Sequence, residues 1–428
     1  MGKKAAEKKH KISRRDFMGG AAAISLAALA SGTTGRIFAA GSDRLRVGLI
    51  GCGERGTDAT IQCAMASENV EIVAMGDLFQ DRLDRSLAKL SRHRDDQTTV
   101  TEAGSFVGFD AYKKVLDSDV DLVILATPPG FRPEHFKAAI EAGKHVFMEK
   151  PVAVDPVGAR SIIASSELAE QKGLAVVAGT QRRHQAHYLE IMKRIHDGAI
   201  GDILAGQCYW NGGSGGYTKR HPRLSSMAWQ CRSWYFFTWL SGDHIVEQHV
   251  HNLDIINWAL RSHPVKAMGI GGREVRSGDG NIYDHFAVEY EYPNGVRVLG
   301  TCRQIEGCSV RIGERVVGTK GWAYTDQSIG LIKGQNEFKY EGPSPDPYRV
   351  EHADMLASIR EGKPLNEGKR IAESTLTAIM GRMSAYTGRE LSWNWVINKS
   401  QLDLRPEKYE FGDLPVRPVA VPGKTKLI

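Results

Sequence analysis

"RVGLIGCGERG", residues 46–56, decides the fold. Residues 45–50 form a nearly continuous apolar run, the pattern of a strand buried on both faces, and the run stops at Gly51. Gly51, Gly53 and Gly56 then follow with the spacing of a dinucleotide fingerprint. The first glycine permits the turn, the second lets backbone approach a pyrophosphate, and the third lets the next helix close on the strand. Gly51, Gly53, Glu54, Arg55 and Gly56 are therefore expected to bind the cofactor. Asp77 ends the next apolar run, "VEIVAMGD", where a carboxylate accepts from the adenosine ribose and repels a 2′-phosphate. That favours NAD over NADP, and Arg82 close by softens the preference.

Outward from this point, "DRLDRSLAKLSRH", "VDLVILATPP", "PEHFKAAIEAG", "KHVFME", "SIIASSELAEQKG" and "LAVVAG" alternate helical and strand patterns to Thr180. That rhythm predicts an α/β Rossmann domain, a doubly wound parallel sheet, over residues 41–180. Residues 181–428 have a different texture. Helix candidates at 188–197 and 249–260 precede "HFAVEYEY" and "VRVLGTCR", which are joined by the hairpin signal Pro293-Asn294-Gly295. Further strand patterns at 309–315 and 321–325, and a helix at 371–386, predict an α+β domain with an open, mainly antiparallel sheet. The Pro-rich tail after Pro406 reads as poorly ordered or as wrapping a partner.

A chain of 428 residues exceeds what one core usually serves, which agrees with two domains. The net charge of +6 is carried entirely by the residues before Gly41, leaving 48 basic against 48 acidic residues in the remainder. The folded part thus lacks the electrostatic footprint of a nucleic-acid binder. The six cysteines have no CxxC pair or metal-finger spacing and read as free, mostly buried thiols. Residues 1–40 carry a basic region, Arg14-Arg15 followed by Asp16, Phe17 and Met18, a mildly apolar run, and small residues at 39–40. They resemble a twin-arginine (Tat) export signal, which places the mature protein in the periplasm or otherwise outside the cytoplasm. The apolar run is short for a spanning helix, so cleavage is favoured over a retained anchor, with no stable membrane span afterwards.

With "AGKHVFMEKPVAV" and "HNLDIINWAL" added to "GLIGCGERG" and "ATPPGFRPEHFKAAIEAGKHV", the chain resembles the glucose-fructose oxidoreductase, inositol dehydrogenase and rhizopine-catabolism (Gfo/Idh/MocA) family from about Arg44 to Tyr386. The resemblance implies that Glu149-Lys150-Pro151 ends a strand at the nicotinamide, with Lys150 near the substrate hydroxyl and Glu149 orienting lysine or cofactor. A lysine there can stabilise a developing alkoxide. By the same resemblance Thr127 and Pro128 line the dinucleotide cleft and His135 approaches the nicotinamide ribose, although a lone histidine on a helix also suits a surface. His251, with Asp254 three residues on, matches the family's proton-exchanging histidine. Glu247 replaces the aspartate that family members commonly carry four residues earlier, on the same helical face; it is an orienter or second acid/base. His244, Glu247, His249 and His251 match no zinc-protease spacing, so no metal is expected.

Gln181, Arg182, His184 and Tyr188 crowd polar groups at the start of the second domain, suiting sugar hydroxyls or equally a charged hinge. Trp234, within the aromatic cluster from Trp229 to Trp239, is a candidate stacking platform. Tyr217 lies in a glycine-rich stretch that is either a lid or a surface loop. The family implies a homo-oligomer and an oxidoreductase acting on a carbohydrate or cyclic polyol. Export implies a tightly held nucleotide recycled within one catalytic cycle, since little free NAD exists outside the cytoplasm. Transfer between two sugars and a redox-neutral glycoside cleavage or epimerisation both satisfy this, and a non-catalytic sugar-binding protein on a Rossmann frame is the rival from another class.

Overall fold

Strand β1 (Leu45–Ile50) is buried along nearly its whole length, as its apolar run requires. In the computed structural model, which describes residues 44–213 and 220–428, it sits at the centre of a six-stranded parallel sheet. Its companions are β2 (Val70–Asp77), β3 (Ser105–Val107), β4 (Leu122–Leu125), β5 (His145–Met148) and β6 (Val176–Ala178), in the order β3-β2-β1-β4-β5-β6. Helices α1 (Glu54–Ala66), α2 (Gln80–Arg94), α3 (Ala111–Asp117), α4 (Arg132–Glu141) and α5 (Pro156–Gln171) alternate with the strands. Close helix–sheet packing explains Gly48: a Cβ there would stand 2.6 Å from Val115 Cγ1 of α3. The expected export signal and Tyr217 lie outside the described residues.

After helix α6 (Ala186–His196), strand β7 (Ile203–Gly212) opens a second sheet. Its nine strands add β8 (Lys266–Gly272), β9 (His285–Glu291), β10 (Arg297–Gln304), β11 (Arg311–Gly318), β12 (Gly321–Thr325), β13 (Gly330–Gly334), β14 (Phe338–Lys339) and β15 (Leu391–Ser392). All pairings are antiparallel except β7 with β10. Burial alternates along β9 and β10, the mark of a sheet with one face on the core. Between β7 and β8 lie α7 (Ser226–Arg232), the single-turn helices α8 (Thr238–Ser241) and α9 (His244–Glu247), and α10 (Val250–Leu260).

The chain then returns to the first sheet. Helix α11 (Pro347–Arg360) buries Met355, Leu356 and Ile359 with residues of β1, β2 and α1. Helix α12 (Gly368–Thr387) adds Ile371 and Ala372 to the core beside β5 and β6, while its later turns join the core of the second sheet. Residues 44–428 accordingly form one compact unit in which the carboxy-terminal helices belong to both cores.

The tail differs from expectation. It lies along its own chain, with the carbonyls of Gly412, Leu414 and Ala420 accepting from Met227 N–H (3.1 Å), Gln230 Nε2 (2.7 Å) and Tyr283 Oη (2.9 Å). Polar composition hid these backbone anchors, which depend on partners far off in sequence.

Candidate active site

The first sheet's strand order reverses between β1 and β4, and at their carboxyl ends opens a cleft of about 790 Å³. Gly51, Gly53, Glu54, Arg55, Gly56, Asp77, Thr127, Pro128 and His135 all line it. Gly51 has φ +101, a conformation that favours glycine, and a Cβ on Gly56 would run into the Gly51 carbonyl oxygen. Gly53 caps α1 with no side chain to satisfy the first N–H groups, and a Cβ there would meet nothing within 4 Å. Open N–H groups at a helix start, with free space before them, fit a pyrophosphate.

Asp77 accepts from Cys52 N–H (2.7 Å) and Phe79 N–H (2.9 Å), so one carboxylate ties the glycine turn to the end of β2. Burial raises its pKa, against the pull of the Phe79 N–H, Arg82 and the Cys52 N–H. His135 is a wall residue, its ring stacked at 4.2 Å on Tyr112 and 5.8 Å on Phe131, with Nδ1 3.2 Å from Thr127 Oγ1. Burial and the nearby Arg132 charge bring it down to about 3, which keeps the imidazole neutral. Arg132 itself, unforeseen from sequence, is fully buried and donates to the carbonyls of Leu125 and Thr127 (2.6 Å), fixing the turn after β4. Its one sequence signal is a charged residue just ahead of the helix-initiating Pro133.

Arg55, which lines the cleft, donates from Nε to Glu149 Oε1 (2.5 Å) and from Nη1 to Gln62 Oε1 (2.9 Å). Glu149 is thereby tied to the fingerprint helix rather than to Lys150. Lys150 instead reaches across to Glu247, with Nζ 2.9 Å from Oε1 and 2.5 Å from the backbone carbonyl. The second carboxylate oxygen of Glu247 is buried and finds no partner among the described residues, as an oxygen awaiting a ligand would. His251 is buried, and burial together with the Lys150 and Arg182 charges holds its pKa well below the ordinary range.

Glu247 and His251 do not lie on one continuous helix. Glu247 closes the one-turn helix α9, a turn at Gln248 and His249 follows, and His251 belongs to α10. Asp243, with φ +73, starts α9, and its carboxylate accepts from His244 N–H (2.6 Å), Tyr283 N–H (2.8 Å) and Tyr386 Oη (2.5 Å). Asp254 braces α10, accepting from Arg183 Nε (2.8 Å), Arg370 Nη1 (3.1 Å) and Ser374 Oγ (2.8 Å). His244 packs against Phe286 at 5.2 Å and His249 Nε2 lies 3.6 Å from Cys208 Sγ, so these rings and His251 have separate surroundings.

The expected sugar contacts fare less well. Tyr188 is fully buried and donates to Glu314 Oε2 (3.1 Å), while Arg182 pairs with Glu314 Oε1 (2.6 Å); both are core residues around a buried carboxylate. His184 is held by Asp354 (2.6 Å) with Glu367 at 3.7 Å, which overcome burial and raise it to about 9, a structural ion cluster rather than a sugar contact. Gln181 donates to Tyr348 Oη (3.0 Å), and its buried Oε1 has no partner among the described residues. Trp234 lines the cleft together with Arg232. Tyr235, passed over among its aromatic neighbours, accepts from Gln304 Nε2 (2.5 Å), and Gln304 accepts from Arg276 (2.8 Å). The Glu247 charge helps burial push the Tyr235 hydroxyl up.

Residues 45–180 match the family described as "Oxidoreductase family, NAD-binding Rossmann fold", and residues 188–324 match the "GFO/IDH/MocA C-terminal domain". The chain belongs to the Gfo/Idh/MocA family. Within it, the chain is 30% identical over 210 residues to inositol 2-dehydrogenase 4 of Saccharopolyspora erythraea, covering 49% of this chain and 57% of that one. It is 27% identical over 219 residues to a glycosyl hydrolase family 109 protein of Shewanella sp., covering 46% of each. The first two curated relatives are thus matched over 57% and 65% of their own lengths. The aldose-aldose oxidoreductase of Caulobacter crescentus, solved with glycerol, shares the Gfo/Idh/MocA fold at TM-score 0.64 and 19% identity, over 82% of this chain and 99% of that one.

Proposed function

We propose that this chain is an exported, dinucleotide-dependent oxidoreductase of a carbohydrate or cyclic polyol. The observation that carries the proposal is the Lys150–Glu247 pair after β5, with its unpartnered Glu247 oxygen, and a His251 of α10 kept neutral by burial and the Lys150 charge. The names of the inositol dehydrogenase and aldose-aldose oxidoreductase relatives support the substrate class. A bound nicotinamide supplies the hydride acceptor or donor. The fingerprint glycines and the open start of α1 hold the pyrophosphate, and Asp77 faces the adenosine ribose, favouring NAD over NADP.

Lys150 donates to the substrate hydroxyl and holds the alkoxide that develops as hydride leaves. His251, neutral at ordinary pH, takes the hydroxyl proton and returns it in the reverse direction. Glu247 anchors Lys150 with one oxygen and offers the other to a second hydroxyl. The Tat-like signal supports a nucleotide carried out with the folded protein and recycled within each cycle. Exposed Leu204, Met268, Ile270 and Leu299 on the second sheet support burial of that face by a second copy.

The same Glu247 oxygen favours a second chemistry. Oxidation of one sugar carbon acidifies the neighbouring C–H, and a free carboxylate oxygen can remove that proton, giving redox-neutral elimination or epimerisation; the glycosyl hydrolase relative supports it. Mass spectrometry of the nucleotide retained by native protein, followed by nicotinamide absorbance as sugars and glycosides are added singly, tests the proposal. The expected result is a co-purifying nicotinamide that bleaches or gains absorbance with one sugar class. Nucleotide-free protein that turns over only with added NAD overturns the closed cycle. Protein that binds sugar without any absorbance change or turnover is a binding module instead.

A further inference from the structure

The adenosine end of the cleft is not finished by the first sheet. Beyond Asp77 the wall is Phe79, and two elements from much later in the chain lie over it. Arg232 of α7 places its guanidinium 4.0 Å from the Phe79 ring centroid and pairs with Asp81 at the start of α2 (2.5 Å). Phe411 of the tail lies 5.9 Å from Phe79 and 5.1 Å from Phe109. Tyr409 lines the cleft itself, 5.3 Å from Phe131, and its hydroxyl is buried with no hydrogen-bond partner among the described residues.

This stretch of tail is pinned on both sides. Leu404 N–H donates to Asp155 Oδ2 (2.8 Å), at the cap of α5, and the Gly412 and Leu414 carbonyls are held by α7. A buried phenol without a partner is costly unless a ligand supplies one. Aromatic rings grouped at a polar cleft provide a stacking surface for a flat base. Resting on the assignment of this cleft to a dinucleotide, we propose that residues 404–414 form a cofactor-binding strap. Tyr409 completes the wall around the adenosine half, Phe411 backs that wall from behind Phe79 and Phe109, and Tyr409 donates its hydroxyl to a polar atom of that half. The nucleotide enters and leaves only when the strap shifts, which gives the tight retention a physical cause.

The test titrates NADH and ADP-ribose into nucleotide-stripped protein by calorimetry, for wild type, Tyr409→Phe and the double variant Tyr409→Ala/Phe411→Ala. The strap requires that the double variant bind both ligands about tenfold or more weakly. Tyr409→Phe, which keeps the ring, loses about threefold or more. Equal affinities in all three proteins, with unchanged ligand-free melting temperatures, overturn the strap and leave the dinucleotide assignment standing. A wild type that binds neither ligand overturns both. If the double variant fails to fold, Tyr409→Phe decides alone.

Discussion

The ammonium of Lys150 lies 2.9 Å from Glu247 Oε1, and the two side chains keep only 11% and 9% of their surface. A residue at the end of the first sheet is thereby bonded to one on the helix that precedes α10. Removing one member of a buried pair leaves an uncompensated charge, worth about 3–5 kcal/mol. Glu247→Ala should therefore lower the melting temperature more than the double variant Lys150→Met/Glu247→Leu, checked by calorimetry on both. Turnover should fall about 10²–10⁴-fold in Lys150→Met, measured at saturating substrate.

His251 yields a pH prediction. Burial and the neighbouring Lys150 and Arg182 charges disfavour its protonated form, so its folded pKa lies below the free value of about 6.5. The base is then already deprotonated at neutral pH, and kcat/KM for sugar oxidation should stay level as pH falls through 6.5, with its acid limb below that range. Lys150→Met removes one of the opposing charges and should move the His251 titration upward, read by NMR of labelled imidazole.

His184 bears on stability instead. Its pKa is raised to about 9 because Asp354 and Glu367 outweigh burial, so the stabilisation is fully present below about pH 6.5 and is lost as pH climbs through 9. With Asp354 about half exposed, the contribution is on the order of 1–2 kcal/mol after screening. Melting curves of wild type and His184→Asn should differ at pH 6 and converge above pH 9.5.

Asp77 has two duties that one substitution separates. Its carboxylate accepts the Cys52 and Phe79 N–H groups, and the residue lines the cleft at the end proposed for the adenosine. Asp77→Asn keeps one acceptor oxygen but not the charge, so NADP binding should improve relative to NAD by about tenfold. Paired titrations of both nucleotides check it.

The parts legible in the sequence are those set by local rules. The glycine spacing of β1–α1, the period of the parallel strands and the 293–295 hairpin each depend on neighbours within a few residues. Tyr188 and Arg182 defeat that approach because their partner, Glu314, stands 126 and 132 residues away, and a polar side chain turned inward looks the same in sequence as one facing a ligand. The break between α9 and α10 is hidden for a similar reason. It lies in the backbone at Gln248 (φ −111, ψ −51), where the residue pattern alone reads as one unbroken helix carrying Glu247 and His251 on one face. Tyr409 carries no signal at all, being one aromatic in a polar tail.

The tail that lines the cleft also has a place in time. The glycine turn, Asp77 and His135 are synthesised well before Tyr409, the tail residue that lines the same cleft. Until Tyr409 is made, the cleft has its floor without that wall residue. On the strap proposal, a nucleotide bound before residues 404–414 dock is enclosed when they do.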